Sequence, residues 1–284
     1  MLQFTKMHGL GNDYIYVDTI SNRFPPNTNW PAIAGLLSQR RFSIGSDGLI
    51  LITPSQVADC GMRIFNADGS EGQMCGNGIR CLAKYVYEHN ICKKNPLRVE
   101  TLAGIRDVSL ILKDECVDLV EVNMGIPKIF PQSHETNGLN RAEPNIRLTL
   151  ENGQSFEGIF VNTGVPHFVT EVEDINSFPV KDIGPLLEKH KFFPDKANID
   201  FIHIVDHTTV MMRVWERGSK ETLACGTGAC AALVYAYIRG KVDSKVTIVL
   251  RGGELSVHWD QTSKQIFMKG PAKEIYSGFV KVPL

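Results

Sequence analysis

The sequence is short of net charge. Thirty lysines and arginines face 31 aspartates and glutamates, so the chain offers no overall field to gather DNA, RNA or anionic lipid, and nucleic acid is not an expected partner. Long apolar runs are also missing. The longest, Ala229 to Ile238, falls well below the roughly 20 residues that span a bilayer, so no membrane helix is expected. The opening Met1-Leu2-Gln3-Phe4-Thr5-Lys6 has neither the continuous apolar core of a secretory signal nor the Arg/Ser bias of a transit peptide. The expected compartment is therefore the cytosol. The seven cysteines are too few and odd in number for a disulfide framework, which points to reduced thiols. Cys75 and Cys81 stand too far apart for a Cys-x₂₋₄-Cys zinc pair, and no metal is expected.

What is present is core-forming material: 43% hydrophobic and 21% charged residues, enough to bury a sizeable interior. Length suggests two domains of roughly 140 residues each, and an internal repeat supports this. Met62-Arg63-Ile64-Phe65-Asn66 resembles Met212-Arg213-Val214-Trp215-Glu216, and both continue through Gly-Ser into Cys-Gly-x-Gly. The pairs Arg63/Arg213, Asn66/Glu216 and Cys75/Cys225 are all 150 positions apart. A fainter echo relates Ser46-Asp47-Gly48-Leu49-Ile50 to Ile199-Asp200-Phe201-Ile202-His203 at a slightly different offset.

Each Cys-Gly-x-Gly precedes a helical pattern. In the first half Ile79, Leu82, Ala83 and Val86 recur at helical spacing, with an end near Glu88-His89-Asn90. In the second, Ala229 to Arg239 is apolar nearly all round and stops at Gly240, which predicts a helix buried on every side. Strand-like segments are expected at Leu97–Thr101, Val108–Leu112, Val117–Val122, Ile146–Leu150, Gly158–Val161, Val246–Leu250, Leu255–Trp259 and Ile266–Lys269, with turns at Asp68-Gly69, Asn152-Gly153 and Gly252-Gly253. The expected fold is α/β (α+β): two halves, each with many short strands around one helix. Boundaries are expected at Gly125–Pro131 and Pro271–Lys273, which gives one domain of residues 1–126 plus 272–284 and a second of 127–271.

A cysteine at a helix start meets unpaired backbone N–H groups and the positive end of the helix dipole, both of which favour thiolate. The same N–H groups can hold an anion, so Gly76-Asn77 and Gly226-Thr227 are candidates to grip one carboxylate. Two thiols flanking the adjacent carbon suit proton removal from one face and return to the other. Cys60, Cys81, Cys92, Cys116 and Cys230 read as buried filler. Gly226-Thr227-Gly228-Ala229-Cys230-Ala231 also fits Gly-x-Gly-x-x-Ala, the dinucleotide fingerprint, but its partner Gly76 to Cys81 does not, and no alternating βαβ series is evident around either copy.

Met7-His8-Gly9-Leu10-Gly11-Asn12-Asp13, then Phe65-Asn66-Ala67-Asp68-Gly69-Ser70-Glu71 with Cys75-Gly76-Asn77-Gly78-Ile79-Arg80-Cys81, then Glu216-Arg217-Gly218 with Cys225-Gly226-Thr227-Gly228-Ala229-Cys230, together resemble the diaminopimelate epimerase family along nearly the whole chain. The resemblance implies a cofactor-independent epimerase interconverting LL- and meso-diaminopimelate for lysine and cell-wall synthesis. It implies a pseudo-symmetric pair of β-barrel-like domains, each around a central helix, and a homodimer with Tyr276 near its interface. It makes Cys75 and Cys225 the acid–base pair, with His167 and Glu216 assisting. It assigns Arg217, Asn12, Asn66 and Asn198 to the distal end of the substrate. Two positions depart from the family pattern: Val165 in Gly164-Val165-Pro166-His167, where an asparagine is common, and Gly48, where some members carry glutamine after the aspartate. A racemase for another amino acid, or a binding protein that keeps the fold without turnover, are the alternative readings.

Overall fold

Four pairs of parallel strands organise the chain among the described residues, and each needs a long crossover that a tight turn cannot supply. The computed structural model describes residues 1–130 and 145–282; the last residue of the expected Gly125–Pro131 boundary and the final two of the first domain lie outside them. The chain divides into two compact units, Met1–Asn123 with Lys269–Leu284, and Met124–Met268.

In the first unit the strand order runs Lys273–Val280, Leu2–Gly9, Asn12–Asp18, Gly48–Thr53, Cys60–Asn66, Leu97–Thr101, Gly104–Lys113, Cys116–Gly125. Asn12–Asp18 is parallel to Gly48–Thr53, and the connection carries a helix, Trp30–Leu37. Cys60–Asn66 is parallel to Leu97–Thr101, and that crossover carries the helix Gly76–Glu88. The second unit repeats the plan. Pro166–Glu171 reaches its parallel neighbour Asn198–Asp206 through the helix Val180–Glu188, and Thr209–Glu216 reaches Lys245–Leu250 through Gly226–Ile238.

All eight expected strand segments are strands, and the helices over both Cys-Gly-x-Gly motifs form. Two expectations need correction. Among the described residues each unit has two helices rather than one, and each Cys-Gly-x-Gly does sit in a βαβ crossover. The Trp30–Leu37 helix carries recognisable local signals: Asn29 caps it by accepting from the Ala32 N–H at 3.1 Å, and Pro31 stands in its first turn. Val180–Glu188 is harder to see because Pro185 lies inside it.

The two helices of a unit cover opposite faces of its strands. In Gly48–Thr53, Leu49 and Leu51 join the core with Ile33, Ala34 and Leu37 of the crossover helix, while Ile50 lies against Gly78 of the central helix. With both faces buried, the strand reads as an unbroken apolar run. The Gly226–Ile238 helix is buried from Gly226 to Ala236, as its all-apolar sequence requires.

Register also settles the faint echo. Leu51 pairs with Arg63 and Phe201 with Arg213, so the 150-residue offset holds through these strands and Asp200 corresponds to Ile50, not Asp47. The parallel pairs Ile15 with Leu49 and Phe168 with Ile199 then place His167 opposite Tyr14 in the repeat.

Gly48 is a packing requirement. A Cβ there would stand 2.3 Å from the Phe65 carbonyl oxygen and 3.0 Å from the Tyr14 ring, so no side chain fits without moving a strand. Gly48→Ala is expected to destabilise the protein by about 1–3 kcal/mol, read as a lower melting temperature; an unchanged melting temperature would contradict this packing.

Candidate active site

Cys75 and Cys225 are the N-cap residues of the two central helices. Helix geometry leaves the N–H groups of Gly76-Asn77 and Gly226-Thr227 without intrahelical acceptors. A glycine two residues into each helix makes the placement: a Cβ on Gly78 would come 2.6 Å from Ile50 Cδ1, and one on Gly228 would come 2.5 Å from Met212 Cε and 2.9 Å from Asp200 Oδ1.

The two thiols have different surroundings. Cys75 is half-buried; its Sγ accepts from the Gly78 N–H at 3.2 Å, and its S–H donates to Asn12 Oδ1 at 3.4 Å. Asn12 is held in turn, its Nδ2 donating to Asp47 Oδ2 at 2.8 Å and its Oδ1 accepting from Asn77 Nδ2 at 3.3 Å. Behind it, Arg40 bridges Asp13 and Asp47, and Lys6, nearly fully buried, pairs with Asp13. Burial, reinforced by Asp13, pushes the Asp47 carboxyl up.

Cys225 is buried and meets Thr227 Oγ1 at 3.3 Å. Burial pushes its thiol well above the ordinary value, and the Glu216 and Asp200 carboxylates add to that push; hydrogen bonding with Thr227 and with the Gly228 N–H pulls the other way and loses. A helix terminus favours thiolate, but at Cys225 desolvation and two nearby acids outweigh it. Glu216 is raised as well, again by burial, against hydrogen bonds to Thr222 and Cys225.

His167 and Asn198 belong to the Cys225 side. His167 Nε2 lies 3.0 Å from Thr227 Oγ1 and 3.4 Å from Asn198 Nδ2, and Nδ1 lies 2.8 Å from Asp200 Oδ2. Asn198 Oδ1 accepts from the Arg217 backbone N–H at 2.7 Å. Arg217 is exposed, with one guanidinium N–H donated to the Asp195 carbonyl at 2.8 Å. Asn66 is committed to its own turn, Nδ2 donating to Ser70 Oγ at 2.9 Å. Asn162, beside Val165, holds the Gly164 N–H at 2.9 Å.

The reading of the remaining cysteines as buried filler holds for Cys60, Cys81 and Cys230. It fails for Cys116, which is exposed at the start of a strand, and for Cys92, which is half-buried in the loop between the Gly76–Glu88 helix and the Leu97–Thr101 strand. Three participants escaped the sequence: Asp200, Asp47 and Thr222. For Asp200 a signal existed, since a carboxylate in the apolar run Ile199-Asp200-Phe201-Ile202 has no reason to be there as filler.

Duplicated units of this kind are a fold that the chain shares with solved proteins. A probable proline racemase from Agrobacterium radiobacter has a TM-score of 0.74 at 15% identity, covering 100% of this chain and 94% of that one, a likeness of fold alone. The sequence goes further than the fold. The family model described as diaminopimelate epimerase matches residues 4–130 and 159–275. A diaminopimelate epimerase of Methanococcus maripaludis is 46% identical over 284 residues, 99% of this chain and 100% of that one; one from Acetivibrio thermocellus is 46% identical over 283 residues, 98% of each. The chain belongs to the diaminopimelate epimerase family, as the opening motif and the two cysteine motifs implied.

A raised thiol leaves a mark on stability. Below about pH 8.5 both folded and unfolded chains keep the Cys225 proton; above it the unfolded chain releases the proton while the folded one retains it, so stability falls as pH rises. Cys60, at about 12, and Cys81, at about 11, act in the same direction. Cys225→Ser is therefore expected to lose less melting temperature than the wild type between about pH 8 and 10; identical slopes in the two proteins would contradict the burial of this thiol.

Proposed function

We propose that the protein epimerises LL-diaminopimelate to meso-diaminopimelate, serving lysine and peptidoglycan precursor synthesis, with Cys75 and Cys225 as a two-thiol acid–base pair and no cofactor. The observation that carries this reading is the unequal setting of two repeat-related N-cap thiols in a chain of this family. Cys75, half-buried and receiving an N–H at its sulfur, is placed to act as thiolate. Cys225, held as thiol by burial and by Glu216, is placed to act as acid. In one direction the Cys75 thiolate takes the α-proton, and the carbanion takes a proton from Cys225 on its other face; the enzyme is left with the opposite protonation, ready for the reverse. Glu216 and His167 assist Cys225 through its hydrogen-bonded surroundings.

The first-turn N–H groups of Gly76, Asn77, Gly226 and Thr227 are proposed to hold the carboxylate next to the reacting carbon. Arg217 offers its guanidinium fork to the distal carboxylate. Asn198 supports Arg217 by fixing its peptide N–H, and Asn12 and Asn66 frame the distal amino-acid end. The two units are read as the two epimerase domains, one thiol each, and the cytosol as the compartment.

Assembly as a homodimer is part of the same reading. Ile275, Tyr276 and Phe279 stand exposed on the strand Lys273–Val280, with Tyr276 edge-on to Phe4 at 5.9 Å. Sedimentation is expected to give twice the 31.6 kDa of one chain, reduced toward one chain by Tyr276→Asp; a monomeric wild type would refute the dimer.

Cys75→Ser and Cys225→Ser are each expected to lower turnover of diaminopimelate by at least about 10²-fold without loss of fold, since a hydroxyl is a far weaker acid than a thiol, and chelators are expected to have no effect. Near wild-type turnover by either folded variant, or loss of activity with chelator, would overturn the mechanism.

A further inference from the structure

Asp200 has no part in the scheme above, yet it is a carboxylate with 0% exposure in the middle of an apolar strand. The repeat shows that packing does not call for it: the corresponding residue of the first unit, Ile50, meets Gly78 as Asp200 meets Gly228. Burying a carboxylate where an isoleucine serves is costly unless the charge has a task. Neither Asp200 oxygen has an aligned hydrogen-bond donor among the described residues, and its one ion-pair contact there is with His167 Nδ1 at 2.8 Å, close but not linear. The His167 ring is also 0% exposed.

The protonation of that ring follows from a backbone group. The Arg217 peptide N–H can only donate, so the Asn198 atom 2.7 Å from it is Oδ1. Nδ2 of Asn198 therefore faces His167 Nε2 at 3.4 Å, and an amide nitrogen can only donate. Nε2 is thus an acceptor, and in the neutral ring the proton sits on Nδ1, toward Asp200. Thr227, 3.0 Å from Nε2, must then donate its hydroxyl proton to the ring. Its oxygen is left to accept the S–H of Cys225 at 3.3 Å.

We propose that Asp200 is a positioning residue that holds His167 in the Nδ1-protonated tautomer and so, through Thr227, keeps the Cys225 thiol pointed and protonated for delivery to substrate. The contacts run in one direction: Cys225 S–H to Thr227, Thr227 O–H to His167 Nε2, with the Asp200 carboxylate 2.8 Å from Nδ1, close enough to favour a proton there without an aligned hydrogen bond. Removing the carboxylate takes away the anion that favours a proton on Nδ1 and leaves Asn198 alone to hold that tautomer. As the ring shifts toward Nε2 protonation, Thr227 turns its hydroxyl toward the sulfur, and the S–H keeps only Glu216 as acceptor among the described residues. The proposal rests on Cys225 being the acid of the epimerase reaction.

Two variants of the full-length protein test it. Asp200→Ile copies the first unit and should fold with an equal or higher melting temperature; Asp200→Asn keeps the shape. Long-range proton–nitrogen NMR of histidine-labelled, ligand-free protein should show His167 protonated on Nδ1 in the wild type and shifted toward Nε2 in Asp200→Asn. With diaminopimelate, kcat should fall at least about tenfold, and up to the ~10⁴-fold that follows a wrong histidine tautomer in a serine protease triad, with KM little changed. A purely structural role would move melting temperature without moving the tautomer. Nε2 protonation in the wild type, or kcat within about twofold of wild type in a folded variant, overturns the proposal. A wild type inert toward diaminopimelate would overturn the proposed function instead, and the tautomer of His167 would still decide the role of Asp200.

Discussion

Close approach between the first turn of each central helix and the strand beneath it, allowed because the residue directly after each Gly-x pair is again a glycine, sets each N-cap sulfur against its strand. Gly78 lies on Ile50, and Gly228 on Met212 and Asp200; a side chain at either position would displace these neighbours beside the N-cap cysteine. The surrounding architecture serves this contact. Parallel strands on either side of each central helix oblige the chain to cross over, and the crossover delivers the helix N-terminus to the end of the strand pair. Strands buried on both faces then hold the helix in place.

On this shared backbone the two units carry different chemistry. Where the first has Ile50, Tyr14 and Asn66, the second has Asp200, His167 and Glu216. The substitutions add acids and a histidine around Cys225, where burial first and these carboxylates second hold the proton on the thiol. The contacts of Cys75 include the Gly78 N–H and Asn12 Oδ1. A reaction that removes a proton on one side and supplies one on the other needs this inequality, and duplication followed by divergence at a few strand positions is enough to produce it.

Much of this was legible in the sequence because its signals are local. The Cys-Gly-x-Gly pairs, the 150-residue offset and the alternation or continuity of apolar residues mark helices, strands and thiols directly. What escaped was non-local. Strand segments do not state whether they pair parallel or antiparallel, so the crossovers and their helices Trp30–Leu37 and Val180–Glu188 went unread. The echo between Ser46–Ile50 and Ile199–His203 was drawn at the wrong offset because a match of letter, Asp to Asp, hid the match of position, Ile50 to Asp200. Which thiol keeps its proton is hidden for a similar reason: both helix starts are visible in sequence, while the desolvation and the carboxylates around Cys225 come from the strands.

The central claim is that two thiols of unlike protonation share the reaction. It is tested most directly by running the enzyme in heavy water from pure LL-diaminopimelate and weighing both stereoisomers by mass spectrometry in the first turnovers. The account predicts solvent deuterium at the α-carbon of the new meso product, while LL-diaminopimelate still present remains unlabelled. Product that retains the original hydrogen, or label arriving equally in both isomers from the start, would mean that a single group handles the proton on both faces.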